Sequence, residues 1–481
     1  MSWTMLLSGP RRPAFLALIV ACAMFMEQLD GSVIATALPS MAVSLGTTAV
    51  RLNLAITAYM LSLAMFIPVS GWLSDRFGAR QVFRAAICLF ALGSLLCGIS
   101  GNLAALTGAR VLQGIGGAMM VPVGRLVLLR NVEKSQLVQA MAWLTVPSML
   151  GPVLGPPVGG FITTYFSWRW IFFINLPIGL LGVTLVSLFI PDTREEERQP
   201  LDVAGFFLSG FSLAGLVYGL DVIGRAPGDG GGWLLFAAGL VLGWLTIWHA
   251  RRWKRPLLDL TLFRIPTFRA SAVGGGFLRL GIGAMPFLLP LMLQIGFGMT
   301  AFASGLLTFA AAAGAMAMKM TAGPVLRRFG FRTVLIGNTV LAAISIAACG
   351  LFTPATPVWV MLLVLVGGGF VRSLQFTGLN VIAYADVPPP QMSAATSLYG
   401  MAQQVTLSIG VAFGALLLHV AIALRHGEAA GPLPEDFRMA FFVVAAATLA
   451  GLGSYTSLDP DAAAEVSGHR PRPRPVAAPG E

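Results

Sequence analysis

Along nearly its whole length the chain alternates between apolar runs of about 20 residues, the length a helix needs to cross roughly 30 Å of hydrocarbon, and short segments that hold most of its charge. Helices are the expected element, because lipid requires every backbone donor and acceptor to be paired internally, and no period-two alternation of the barrel kind is present. The pattern predicts spans at 13–39, 48–72, 81–99, 103–124, 137–162, 168–190, 202–221, 232–249, 269–294, 301–320, 331–351, 357–378, 394–420 and 437–456, fourteen in all. An even number returns both termini to one side.

Charge decides which side. Of 31 Lys and Arg, most fall in loops after even-numbered spans, among them Arg76, Arg80, Arg84, Arg125, Arg130, Lys134, Arg251, Arg252, Arg327 and Arg328. The opposite loops hold only Arg51, Arg169, Arg225, Arg425 and Arg438. The rule that positive loops stay inside then puts both termini in the cytoplasm. The net charge of +11 follows membrane topology, so no nucleic-acid partner is implied. Composition agrees: 56% hydrophobic and 11% charged, with a mean hydropathy of +0.81, against about 45–50% and a quarter in soluble proteins. The four cysteines lie in apolar spans without ligand spacing and read as small hydrophobes. RRPAFLALIVACA (11–23) resembles a signal peptide, but cleavage would remove the first span and leave an odd number, so it is read as retained. No metal or cofactor is expected, and the four scattered histidines form no catalytic constellation.

Several charged residues lie inside spans. Glu27 and Asp30 are three apart in span 1 and share one helical face. An acid at mid-span costs about 2.5–3.5 kcal/mol on insertion scales, so it is expected to face a cavity and to serve function. A low-dielectric cleft favours a neutral carboxyl, and an acid that loads a proton on one side and releases it on the other suits proton coupling. Structural pairing with an arginine is the alternative. Arg110 in span 4 is the expected partner at similar depth, and Gln113 one turn on can share its water network. Arg279 and Arg372 have no acid within the spans of their own half; they could pair with Glu27 or Asp30, bond to carbonyls, or hold an anionic substrate group. Gln375 and Tyr59 are further candidates for a substrate cavity. Lys319 reads as snorkelling toward a nearby span end.

Two stretches repeat. GWLSDRFGARQVF (71–83) aligns with GPVLRRFGFRTVL (323–335), and GARVLQGIG (108–116) with GGFVRSLQFTG (368–378). Each RFGxR follows an even-numbered span, so the repeats run parallel and predict two halves that rock about a site near the midplane. The resulting organisation is an N-terminus at 1–12, a six-helix half at 13–190, an inserted two-helix region at 191–256, a second half at 257–456 and a Pro-rich, disordered tail at 457–481.

LDGSVIATALP, GWLSDRFGARQVF, RVLQGIGGAMMVP, SMLGPVLGPPVGGF and WRWIFFINLPIG, taken in this order, resemble the major facilitator superfamily, in its fourteen-helix drug–proton antiporter branch of EmrB/QacA type. The resemblance implies an all-α polytopic major facilitator fold, two pseudo-symmetric six-helix halves plus an inserted hairpin, and proton-coupled efflux of amphiphilic drugs by alternating access. A dedicated exporter or exchanger of one metabolite, an anion included, is the alternative; a membrane sensor or enzyme is a remote one. Asp30 matches the branch signature better than Glu27. The resemblance also implies a cytoplasmic gate at Gly71, Asp75, Arg76, Gly78, Arg80, Arg328 and Gly330, with Ala79 departing from the usual second basic residue. It implies an antiporter motif at Gly151, Pro152, Gly155, Pro156, Gly159 and Gly160, where prolines kink the helix and glycines admit close neighbours. Expected partners are protons, small amphiphiles and the bilayer, in a bacterial inner membrane, as a monomer; a periplasmic adaptor protein is left open.

Overall fold

Because the apolar runs can satisfy their backbones only internally, they fold as long rods. The computed structural model describes residues 12–47, 49–191, 200–225, 228, 230–254, 256–425 and 432–469; the expectations for 1–11 and 470–481 lie outside the described residues. The N-terminal half comprises α1 (Arg12–Ser44), α2 (Ala49–Phe66), α3 (Ser70–Phe77), α4 (Ala79–Ile99), α5 (Leu103–Asn131), α6 (Leu137–Tyr165), α7 (Trp170–Phe173) and α8 (Asn175–Phe189). A hairpin of α9 (Val203–Arg225) and α10 (Gly230–Arg252) follows. The second half contains α11 (Pro266–Arg269), α12 (Gly275–Leu291), α13 (Ala301–Gly350), α14 (Val358–Ala385), α15 (Met392–Arg425), α16 (Pro434–Leu449) and α17 (Leu452–Thr456), and the short α18 (Ala464–Ser467) trails it.

Among the described residues, twelve helical segments are long and apolar enough to cross a membrane. One of them, α13, has 50 residues and is broken at Gly330, where φ is 73° and ψ 164°, so it supplies two rods. The 29-residue α6 is a further rod between α5 and α8. The fourteen expected spans are accounted for in this way. The matching break between α3 and α4 falls at Gly78, with φ 90°. Both RFGxR copies therefore turn the chain at a glycine in the same unusual backbone region, where a Cβ would be strained. The two turns mark one end of the bundle, the RFGxR end.

Glycines seat the rods. A Cβ on Gly155 of α6 would collide with Ser32 Oγ of α1, and one on Gly151 would lie 2.7 Å from Gln28 Cβ. Ser32 donates from Oγ to the Gly151 carbonyl at 3.1 Å. Gly160 faces open space, while the Gly159 carbonyl accepts from Thr163. The Pro152 and Pro156 side chains lie outside the described residues. In the second half, Gly283 of α12 and Gly410 of α15 press on each other's backbone, so α12–α15 repeats the α1–α6 contact.

The hairpin docks through Leu213 and Val217 of α9, which pack with Ala64 of α2. Asp202 anchors its base by accepting from the Gly205 and Leu257 amides and by lying 2.9 Å from His249 Nε2. The outer helix α10 shows Leu234, Val241 and Trp244 to the outside, as a lipid-facing rod should. The segment expected to be disordered from 457 onward is ordered as far as His469. Leu458 and Val466 are buried in the main apolar cluster, Glu465 lies 3.6 Å from Lys134, and His469 Nδ1 contacts the Arg327 carbonyl at 2.9 Å. Two apolar anchors, Leu458 and Val466, tie it down.

Candidate substrate cavity and its buried charges

A cavity of about 550 Å³ lies between the halves, lined by residues of α1, α2, α5 and α6 on one side and α12–α15 on the other. Its surface is mostly apolar, with Met24, Leu63, Met285 and Phe376 among the lining side chains. Four ionisable residues also reach it: Glu27, Arg125, Lys319 and Arg372.

Glu27 lines the cavity, and its Oε2 is buried with no hydrogen-bond partner among the described residues. Asp30, one turn on, is its opposite. It is only 4% exposed and accepts from Arg110 Nη1 at 2.5 Å, Gln113 Nε2 at 2.9 Å and Asn175 Nδ2 at 3.0 Å. Arg110 also donates to Gln113 Oε1 at 2.7 Å, and its guanidinium lies 4.2 Å from the centre of the Tyr59 ring. Asn175 completes the cluster by donating to Ser94. A buried ion pair is sustainable when its remaining lone pairs are satisfied in this manner. Asp30, Arg110, Gln113 and Tyr59 thus come together behind the wall, while Glu27 stands in it.

The repeat places Arg372 and Gln375 in α14 where Arg110 and Gln113 stand in α5, but the second half has no acid to match Asp30. Arg372 donates to Ser345 Oγ at 3.3 Å, and Gln375 donates to the Leu335 carbonyl and Thr339. Arg372 lines the cavity; Gln375 is buried beside it. Arg279 is wholly buried outside the cavity, where it donates to the Tyr399 hydroxyl and lies 4.8 Å from that ring's centre.

Two assignments made from depth alone are corrected. Arg125, grouped with the loops, sits within α5, is 8% exposed and donates to Gln403 of α15. Lys319, expected to snorkel, turns inward and donates from Nζ to Thr377 Oγ1 at 2.6 Å. In both, the helix runs on past the residue, α5 to Asn131 and the first rod of α13 to Gly330, so the headgroup region lies too far along the rod.

At the RFGxR end the halves touch. Asp75 of α3 lies 3.0 Å from Arg130 and accepts from Ser393 of α15; Ser70 and Ser397 meet at 2.9 Å. A Cβ on Gly71 would lie 2.7 Å from the Ser393 carbonyl. Arg80 donates to the Ser187 carbonyl within its own half, whereas Arg76 and Arg328 are exposed and stand over Trp72 and Phe329.

Two halves joined at one end around a shared cavity is a transporter's geometry, and the sequence matches the family model described as "Major Facilitator Superfamily" over residues 20–268 and 271–479. The chain belongs to the major facilitator superfamily. It is a multi-pass membrane transporter of that superfamily, not an enzyme, and acts on small substrates in the bilayer. Among its relatives is the "Putative multidrug resistance protein MdtD" of Cronobacter sakazakii, 41% identical over 86% of this chain and 88% of that one. The protein of the same name from Pectobacterium atrosepticum is 40% identical over 84% and 86%. The human organic anion transporter MFSD10 has the same fold, with a TM-score of 0.64 at 15% identity over 93% of this chain and all of that one. The proton:xylose symporter XylE follows at 0.60 and 12%, over 91% and 94%.

Beyond the sequence candidates, the structure adds Arg125, Lys319 and Asn175 to this facilitator's polar groups. Asn175 lies in WRWIFFINLPIG, a signal that was visible but carried no charge. Arg125 and Lys319 had charge, but nothing in the hydropathy pattern indicated which way they turned.

Proposed function

We propose that the protein is a proton-coupled exporter of amphiphilic compounds, an antiporter of the fourteen-helix EmrB/QacA branch, working by alternating access. The reading rests above all on one observation: Glu27 lines a largely apolar cavity between two halves, and its Oε2 is buried without a hydrogen-bond partner among the described residues. Such a group can hold a proton or a cationic substrate group but not both, and exclusion of one by the other is the essence of antiport. Glu27 is accordingly the group that exchanges with the cavity, and the Asp30–Arg110 cluster behind it is the positioning element. The multidrug-resistance names of the relatives support drug efflux. The arginine-rich loops support a bacterial cytoplasmic membrane location with both termini in the cytoplasm, which makes the RFGxR end the cytoplasmic gate and the present state closed to the cytoplasm. Asp75 is then a latch that Ser393 holds here and releases on opening. A monomer suffices, since both halves of the cavity come from one chain; a periplasmic adaptor would bind outside it.

The test uses purified protein in liposomes with an imposed pH gradient and a fluorescent amphiphile. Movement should follow the gradient and stop in Glu27→Gln. Movement that ignores the gradient, or that continues at the wild-type rate in Glu27→Gln, refutes the assignment.

A further inference from the structure

The cavity is lined by both acidic and basic side chains, and they do not pair with each other. Glu27 of α1 lies in one wall; Lys319 of α13 and Arg372 of α14 lie in the other. Among the described residues no ion pair joins them. Lys319 has a threonine hydroxyl as its partner and Arg372 a serine hydroxyl, while Glu27 Oε2 has none. Arg125, the remaining cation of the lining, donates to Gln403.

Buried charges answered only by hydroxyls are costly, because the desolvation of each ion is not repaid. The repeat explains how this arose. In the first half the arginine of the R-x-L-Q stretch meets Asp30; in the second half the equivalent Arg372 meets no carboxylate, so its counter-charge must come from the cavity.

The two poles also lie at matching depth. At about 1.5 Å per residue, Glu27 stands about 22 Å from the Arg12 end of α1, Arg372 about 20 Å from the Ala385 end of α14, and Lys319 about 17 Å from Gly330. All three distances run from the RFGxR end of the bundle. A cavity of about 550 Å³ is of the size that holds a drug-sized ligand, and its apolar lining suits a hydrophobic body.

We propose that the cavity selects zwitterionic amphiphiles, with the cationic group of the substrate at Glu27 and its anionic group at Arg372 and Lys319. This rests on the exporter reading above and deepens it. The cationic group competes with the proton at Glu27, as antiport demands. The anionic group fills the site that the second half leaves without an acid. A purely anionic ligand would leave the Glu27 carboxyl without a cationic partner, and a purely cationic one would leave Arg372 and Lys319 unanswered.

Three matched fluorescent probes test this by equilibrium binding to the purified full chain in nanodiscs, with no gradient. Nε-dansyl-lysine carries both charges, dansylcadaverine lacks the carboxylate, and 6-(dansylamino)hexanoate lacks the amine. Dansyl-lysine should bind about tenfold or more tightly than either relative, as a charge-assisted hydrogen bond at each pole requires. Arg372→Gln should reduce it to the level of dansylcadaverine, Arg372→Lys should restore part of the loss, and Glu27→Gln should reduce it to the level of the anionic probe. Equal affinities of dansyl-lysine and either relative for the wild-type protein overturn the proposal, and that comparison needs no variant to fold. Because binding is read without a gradient, proton-driven movement of dansylcadaverine alone would keep the exporter and reject the zwitterion. Selective binding of dansyl-lysine without proton-driven movement would do the reverse.

Discussion

Removing the Asp30 carboxyl group should cost far more stability than removing that of Glu27, although the two lie one helical turn apart. Asp30→Ala takes the acceptor away from three buried donors, Arg110, Gln113 and Asn175. It also strands a guanidinium that is wholly buried. Breaking a buried pair from one side costs about 3–5 kcal/mol, most of it the penalty of the charge left behind. Arg110→Ala should cost a similar amount for the mirror-image reason. The double substitution removes both charges and should cost less than the sum of the two, with a coupling energy of about 2–3 kcal/mol. Glu27→Gln, by contrast, replaces a carboxyl whose Oε2 has no hydrogen-bond partner, so its effect should lie within about 1 kcal/mol and be neutral or stabilising. Unfolding by SDS titration from mild detergent, followed by tryptophan fluorescence, measures all four proteins. Single costs that add to within about 0.5 kcal/mol would show that Asp30 and Arg110 are not coupled. A Glu27→Gln cost as large as that of Asp30→Ala would mean that Glu27 is a structural acid and that the division of labour drawn here is wrong.

Gly155→Ala should destabilise the protein by about 1–3 kcal/mol, because the new methyl meets Ser32 and α1 must shift off α6; the paired change with Ser32→Ala should recover part of the loss, and no recovery in the same SDS titration would place the strain elsewhere. Asp75→Asn weakens the contact with Ser393 and Arg130 at the RFGxR end, so a cysteine introduced at Ser70 should be labelled several-fold faster by a water-soluble maleimide; an unchanged rate would mean that the apolar contacts alone hold this end shut.

How far the chain could be read from its sequence depended on which coordinate of a side chain was in question. Hydropathy measures position along a rod, and it was enough for the spans, while the repeated stretches gave the two halves around an inserted hairpin. Depth also allowed Arg110 to be matched with the acids of span 1, since both lie well inside. What depth could not supply was azimuth. Glu27 and Asp30 share a helical face within one turn, yet Asp30 turns to Arg110 and Asn175 while Glu27 turns to the cavity. Arg279 and Arg372 looked alike as buried arginines without acids, but only Arg372 reaches the cavity. Lys319 and Arg125 pointed inward rather than to a headgroup, since the partners that hold them, Thr377 and Gln403, are contributed by other helices. The sequence by itself therefore determined that this protein lies in a membrane, how many times it crosses and that it is built twice over. Which charges meet one another and which are left to a substrate was decided only by tertiary structure, because the rotation of each helix about its axis is set by the neighbours it packs against and not by its own hydropathy.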